Sequence, residues 1–440
     1  MFGYYLGLAL RSFRGSRVLT ALIIVLMGVG VATCMVAWSV FRVTAADPLP
    51  GRSATLFVPQ VDNFGPTRTN QGEPPNLLSH ADAMALWHAR GHTPTTLLYP
   101  VSFVHDPDDG TGQPSGLDGD AVTRDFFAMF GAPFAQGHVW SQADDEDGAA
   151  LVVISDRLNR RLFGGDNSIG RSMNLDGHAF RVVGVLGPWQ PWPRFYDVAS
   201  TGTAFIAPGD IYLPLRKAIA LAKRSLTGYC SAVAADPNIP DFNAWVHSEC
   251  VWIGAWVQLR DAADVARYRQ FLVAYATTQQ QMGRFAWEPN IRLTGLNAWL
   301  ASQRVIPKAT NLSMMVALSF LLIAMVNVVG LMLARFMRRS TEIGVRRALG
   351  ASRAAIYRQF GTEAVAIGMA GALLGMGLTW LGIRGVHLVF EPTIAAWAHM
   401  DLPLMLGTVV LAVGATFLAA LYPTWRAAQV QPAWQIKTDD

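Results

Sequence analysis

Apolar and mixed stretches divide this chain unevenly. Four runs, 18–41, 309–334, 364–383 (continuing toward Phe390) and 402–425, are almost free of ionisable side chains. About 20 apolar residues cross a hydrocarbon core as a helix, so each run is long enough to span. Charged residues close them: Arg17 and Arg42, Lys308 and Arg335, Glu363 and Arg384, Asp401 and Arg426. Between the first two runs the pattern shortens. "ATLFVPQV", "TTLLYPVSFV", "ALVVIS" and "VWIGAWVQL" read as strands bounded by turn residues. "RSMNLDGHAFRVVGVLG" reads as a hairpin turning at Asp176-Gly177. "SDRLNRRLF", with Ser155 as cap, and "AADVARYRQFLVAYATTQQ" carry helical spacing.

The predicted fold class is an α-helical membrane protein with four transmembrane helices. A large α/β (α+β) domain of two subdomains is inserted between the first and second helices, since its length exceeds a typical single core. The segments are a basic N-terminus (1–17), a span (18–41), the inserted domain (42–308), a span (309–334), a loop (335–361), a span (362–390), a short loop (391–401), a span (402–425) and a tail (426–440).

Composition agrees. Only 15% of residues are charged and 52% are hydrophobic, where soluble domains carry roughly a quarter charged. The net charge of +4 says less than where the arginines lie. Arg11, Arg14 and Arg17 precede the first span. Arg335, Arg338, Arg339, Arg346, Arg347, Arg353 and Arg358 crowd between the second and third, and the loop 391–401 before the fourth has no Lys or Arg. The positive-inside rule puts both termini and the arginine-rich loop in the cytoplasm and the inserted domain outside. Thr44-Ala45-Ala46 resembles a signal-peptidase site, but the apolar run before it is too long for an ordinary signal peptide. Cys34 falls in the first span. Cys230 and Cys250 fall outside, and a disulfide between them would close a loop of about 20 residues.

Candidate chemistry is sparse. No G-x-x-x-x-G-K-[ST] occurs, so no phosphate-binding loop is present and no catalytic, cofactor-binding or metal site is assigned. His88 and His92 share helical spacing but lack an acid to complete a zinc pattern. "DPDDG" from Asp106 puts Gly110 where a calcium loop needs a ligand, and "DDED" at 144–147 reads as a solvated loop. Asn327 is the most polar group of the second span and reads as helix-packing glue, as does the Gly371–Gly375 spacing. "PWQPWPRFYDV" holds Trp189, Trp192, Phe195 and Tyr196 among prolines. Two readings stand: a contact surface for a partner or substrate, or aromatics folded inward as a satellite core.

The loop "RRSTEIGVRRALGASR" (338–353) has Val345, Leu349 and Ile356 at helical spacing, with arginines on another face. Gly350 ends a short helix and Ser352 caps the next, which leads into the third span. The loop reads either as a lever tied to two spanning helices or as a topology and anionic-lipid signal. It has no aromatic stacking platform, which argues against nucleic acid.

"EIGVRRALGASR" resembles the cytoplasmic coupling segment of MacB-type ABC permeases, the FtsX-like superfamily. "VNVVGLMLARFMRRSTEIG", Glu363 with "AIGMAGALLGMGLTWLG", and "YPTWRAAQVQPAWQI" resemble that family's second span, third span and closing motif. "VTRDFFAMFGAPFAQGHVW", the following "ALVVISDRLNRRLFGGDNSIGRSMNLDGHAFRVVGVLG" and "IYLPL" resemble its periplasmic core domain. The resemblance implies a permease in the bacterial inner membrane whose loop docks on an ATPase through Glu342, Ile343, Gly344, Val345, Arg346, Arg347, Leu349, Gly350 and Ala351. MacB carries its ATPase before the first span, whereas 17 residues precede it here. The expectation is therefore a separate ATPase dimer holding ATP and Mg, with no enzyme activity or cofactor in this chain. A second permease subunit, identical or homologous, a periplasmic adaptor and an outer-membrane channel complete the expected efflux machine. The alternatives are a lipoprotein-releasing permease and a signalling or cell-wall regulatory subunit without transport.

Overall fold

A computed structural model describes residues 16–44, 47–66, 72–107, 113–231, 241–305, 308–338, 345, 352–389 and 400–428. The chain forms two compact units. One is Ala46–Val305, and the other gathers the segments on either side of it.

The described part opens with helix α1 (Arg17–Thr44), and the inserted domain follows. Its strands are β1 (Leu56–Val61), β2 (Leu78–Ser79), β3 (Thr95–Asp106), β4 (Ser115–Val122), β5 (Phe134–Gly137), β6 (Leu151–Ile154), β7 (Ser172–Leu175), β8 (His178–Leu186), β9 (Ile211–Pro214), β10 (Val251–Gln258) and β11 (Ile291–Gly295). They join in one mixed sheet of order β11-β1-β10-β3-β4-β9-β6-β8-β5, with β2 beside β10 and β7 bridging β3 and β8. The β7–β8 hairpin turns at Asp176 (φ 50°) and Gly177 (φ 78°), two positive values that match the twist of the flanking strands.

Both faces of this sheet are covered, which explains the continuous apolar runs of β3, β6 and β10. Side chains alternate across a strand. Leu97, Tyr99, Val101 and Phe103 of β3 enter one apolar cluster with Val152 and Ile154 of β6, while Leu98 and Val153 enter another on the opposite face. The first face is covered by α2 (His80–His88), through Ala83, Leu86 and Trp87. The second is covered by α3 (Asp125–Phe130), through Phe126, Phe127 and Phe130. Two short helices follow, α4 (Gln142–Asp147) and α5 (Asp156–Phe163). The Ser155 hydroxyl caps α5 by accepting from the Leu158 N–H at 3.0 Å. The long helix α6 (Ala262–Gln281) lays Tyr268, Leu272 and Ala276 on the first face. Cys230 and Cys250 are joined by a disulfide.

The other unit holds α1 with α7 (Lys308–Met337), α8 (Arg353–Val389) and α9 (Leu402–Ala428). All four are long and apolar enough to cross a membrane. Ile23, Met27 and Val31 of α1 recur every four residues and are fully buried in the bundle. The Gly371–Gly375 pair lies where α8 meets α1. A Cβ at Gly375 would stand 3.5 Å from the Gly28 carbonyl, an ordinary contact distance, so the two helices pack closely here without the glycine being required. Thr408, Thr416 and Thr424 of α9 each bond the carbonyl four residues back, which satisfies their buried hydroxyls. Asn327 departs from the sequence reading. It is exposed on α7 and bonds no other helix of this chain among the described residues, while the bundle packs through the neighbouring Ala324 and Val328.

Candidate coupling site

The loop between α7 and α8 is the candidate site. Of its sequence-predicted contacts, Glu342, Ile343, Gly344, Arg346, Arg347, Leu349, Gly350 and Ala351 lie outside the described residues. Val345 is helical and 55% exposed, an apolar side chain left facing outward. Downstream, the Ser352 hydroxyl accepts from the Ala355 N–H at 3.3 Å and starts α8. The helix then runs unbroken for 37 residues. At 1.5 Å per residue that is about 55 Å, well beyond the roughly 30 Å of a hydrocarbon core.

Two charged residues at the flanks were missed as structural partners. Arg335, in the last turn of α7, and Glu363 of α8 turn inward, each side chain 6% exposed, with Nη2 and Oε2 3.5 Å apart. Phe336 and Phe360 meet beside them, ring centroids 4.2 Å apart. Opposite charges at the facing ends of two apolar runs were the available signal, but hydropathy reads such residues as boundaries rather than contacts.

In the inserted domain Phe195 and Tyr196 of the aromatic stretch turn inward, which corrects their reading as a contact surface. Phe195 and Tyr196 are buried, and Trp189 and Trp192 are half-buried. Phe195 meets Trp256 at 5.4 Å, Tyr196 stacks on Trp189 at 5.7 Å, and Trp192 lies 5.4 Å from Phe205. The prolines keep the segment out of the sheet, and burial of large apolar rings draws it onto the core. Arg194 anchors it there, its guanidinium reaching the buried Asp120 of β4 and Asp197. Burial pushes both carboxyls upward against the pull of that arginine.

"DDED" is a second correction. It forms α4, with a capping box between Ser141 and Asp144, and Asp145 is buried. Trp140 Nε1 donates to Asp145 Oδ1 at 2.7 Å and the Arg124 N–H to Oδ2 at 2.9 Å. His88 bonds the Met84 carbonyl through Nδ1, and no metal-ligating cluster occurs among the described residues. Residues 108–110 of "DPDDG" lie outside the described residues.

Asp145 supplies a pH prediction. Burial pushes its carboxyl from 3.8 up to about 6, against the two hydrogen bonds. The folded state therefore holds this proton more tightly than the unfolded chain. Its contribution to stability is fully present below the unfolded value and is lost as pH rises through the folded one. Between these limits it amounts to on the order of 2–3 kcal/mol. Asp145→Asn is expected to flatten this part of the profile while losing one acceptor, at about 1–3 kcal/mol. Unfolding of wild type and variant at pH 4.5 and 7.5 checks it. Equal pH slopes would show that Asp145 keeps an ordinary affinity for its proton.

Four membrane-length helices with an α/β domain inserted between the first two, and a basic sequence between the second and third, make this a multi-span membrane protein with one large extramembrane domain. Residues 18–275 match the MacB-like periplasmic core domain and 314–432 the FtsX-like permease C-terminal domain. The chain belongs to this MacB-like, FtsX-like permease family. It is 26% identical over 360 residues to the macrolide export ATP-binding/permease protein MacB of Syntrophobacter fumaroxidans, covering 72% of this chain and 47% of that protein. To the pyoverdine export ATP-binding/permease protein PvdT of Pseudomonas syringae pv. syringae it is 27% identical over 308 residues, covering 70% of this chain and 40% of that protein. The chain thus spans less than half the length of these relatives. The periplasmic region of MacB from Actinobacillus actinomycetemcomitans aligns over 58% of this chain and 96% of its own length, with 13% identity and a TM-score of 0.35.

Proposed function

We propose that this chain is the permease subunit of a MacB-like export complex. A separate cytoplasmic ATPase dimer docks on the loop around Val345 and Leu349, and a second permease subunit, identical or homologous, completes the membrane part. The chain lies in the bacterial inner membrane with both termini cytoplasmic and the inserted domain in the periplasm. There it works with an adaptor and an outer-membrane channel to expel substrate.

The observation that carries this reading is the order of parts. A MacB-like domain and an FtsX-like bundle stand in series, and between α7 and α8 lies a coupling-type segment that leads straight into a 37-residue helix. Mechanical transmission also suits the bundle interior, which is apolar through Met27, Val328, Ile367 and Ala412. Buried ionisable groups at mid-span would be expected of a polar path. Closure of the ATPase dimer would push the loop, and the helices would carry that motion to the periplasmic domain.

The test is affinity purification of the chain from native membranes, with bound subunits identified by mass spectrometry and ATP hydrolysis measured. The expected result is a stoichiometric ATPase subunit and an adaptor. A lipoprotein chaperone, or a sensor kinase or cell-wall hydrolase in place of the adaptor, would replace efflux with extraction or regulation. Hydrolysis by the purified chain alone would overturn the division of labour.

A further inference from the structure

We propose that α7 is the surface by which two copies of this chain hold each other in the membrane, with Asn327 pairing there with its own counterpart in the second copy. The inference rests on the two-subunit reading above. It adds the surface and makes the second subunit identical to the first.

Asn327 is the observation that points to a partner. The membrane-length stretch of α7 runs from Thr310 to Met337. Asn327 lies about 5 Å past its midpoint along the axis, well inside a hydrocarbon core of about 30 Å. Its side chain is exposed and makes no hydrogen bond among the described residues. A carboxamide carries two N–H donors and a carbonyl acceptor, and hydrocarbon offers none of them a partner. The hydroxyls of this bundle are handled otherwise. Ser319, on the exposed side of the same helix, bonds the Met315 carbonyl one turn back at 2.9 Å. Asn327 has no such local remedy.

The second observation is the pattern around it. Val316, Phe320, Ile323, Asn327, Gly330 and Ala334 are all exposed, and they follow one another at alternating steps of four and three residues. That is the seam spacing of two helices wound left-handedly around each other, the usual crossing of membrane helices. The bundle uses a different face of α7, through Ala317, Leu321, Ala324 and Val328. A Cβ on Gly330 would meet no atom within 4 Å, so the seam is open to another backbone beside it.

The amide decides the occupant. Two copies inserted with the same topology run parallel. A two-fold axis along the membrane normal then sets each seam position beside its own counterpart. A carboxamide at that axis complements itself, each donating an N–H to the other's carbonyl oxygen. A single polar residue in a seam also fixes register, because sliding by one turn leaves both amides unpaired. A purely apolar seam would pack equally well in several registers, and lipid would satisfy it without any partner.

The test uses the full chain in the membranes of the expressing cell, on a Cys34→Ala background in which the bridged Cys230 and Cys250 are the only remaining cysteines. Ile323→Cys, Gly330→Cys and Ala334→Cys are each expected to give a cross-linked dimer on oxidation. Leu318→Cys and Leu322→Cys, exposed on another side of the helix, are expected to give none. In lipid vesicles, energy transfer between copies fused to two different fluorescent proteins measures association. Asn327→Leu is expected to weaken it about three- to thirtyfold, and Asn327→Gln less. Gly330→Leu should weaken it too while the monomer still folds, since nothing in the chain approaches that position. Cross-links spread evenly over all five positions, or wild-type association in Asn327→Leu, would overturn the inference. Two copies that associate without seam cross-links would leave the two-subunit reading standing and defeat this surface. A homologous chain recovered in place of the second copy would do the same. Absence of any second permease subunit would defeat both.

Discussion

Leu349→Asp is expected to uncouple the complex while leaving the chain inserted and its inserted domain folded. The reasoning starts from sequence periodicity. Val345 and Leu349 are one helical turn apart and share a face. Val345 is helical and faces outward, an apolar side chain available to a partner. An apolar anchor in a desolvated cleft contributes about 2 kcal/mol or more, equivalent to roughly a 30-fold change in affinity, and a buried carboxylate in its place adds a desolvation penalty. Val345→Asp should act the same way. Arg346→Ala should do less, and its effect should shrink with salt, since a rim charge is screened. The measurements are ATPase co-purification and stimulation of hydrolysis, with the Cys230–Cys250 disulfide as the check on folding. Full association and stimulation in Leu349→Asp would reduce the loop to a topology signal.

The sequence revealed the helices and the strongest strands because those elements bury one kind of surface over a long run. β4 shows where that fails. "SGLDGDAV" is poor in β-formers, yet it lies centrally between β3 and β9. Gly119 is needed because a Cβ there would collide with the Ile211 carbonyl of β9. Asp120 is tolerated because Arg194, 74 residues later, reaches it. Neither reason is local, so no window around β4 contains it. The aromatic stretch fails for the same cause. Its prolines and tryptophans are visible, but the pocket that receives Phe195 and Tyr196 is made by α3 and Trp256. At the candidate site the motif was legible from its residues, whereas the Arg335–Glu363 contact depends on how two helices rotate.

Arg284→Ala is expected to destabilise the inserted domain more than any other single truncation of a surface-accessible side chain. Its guanidinium grips two carboxylates at once. Nη1 and Nη2 donate to Asp82 at 2.6 and 2.9 Å, and Nε and Nη2 donate to Glu249 at 2.8 and 2.7 Å. The Tyr275 hydroxyl donates to Asp82 at 2.7 Å and the Ser79 hydroxyl at 2.6 Å, so α2, α6 and the segment entering β10 meet at one point. Burial alone would raise the Glu249 carboxyl, but hydrogen bonds from Arg284 and Asn63 outweigh it and hold it below its usual range. Asp82 is fully buried, and without Arg284 its charge would be stranded. Breaking such a pair costs about 3–5 kcal/mol, which for a domain of this size corresponds to a fall in Tm of roughly 10 °C. Arg284→Lys should recover only part, since an ammonium cannot hold two carboxylates by parallel bonds. Adding Asp82→Asn to Arg284→Ala should recover some stability, because it removes the stranded charge. Thermal unfolding followed by tryptophan fluorescence measures all three. A melting point within a degree or two of wild type for Arg284→Ala would mean that water replaces the guanidinium and that the network is not what joins α6 to the sheet.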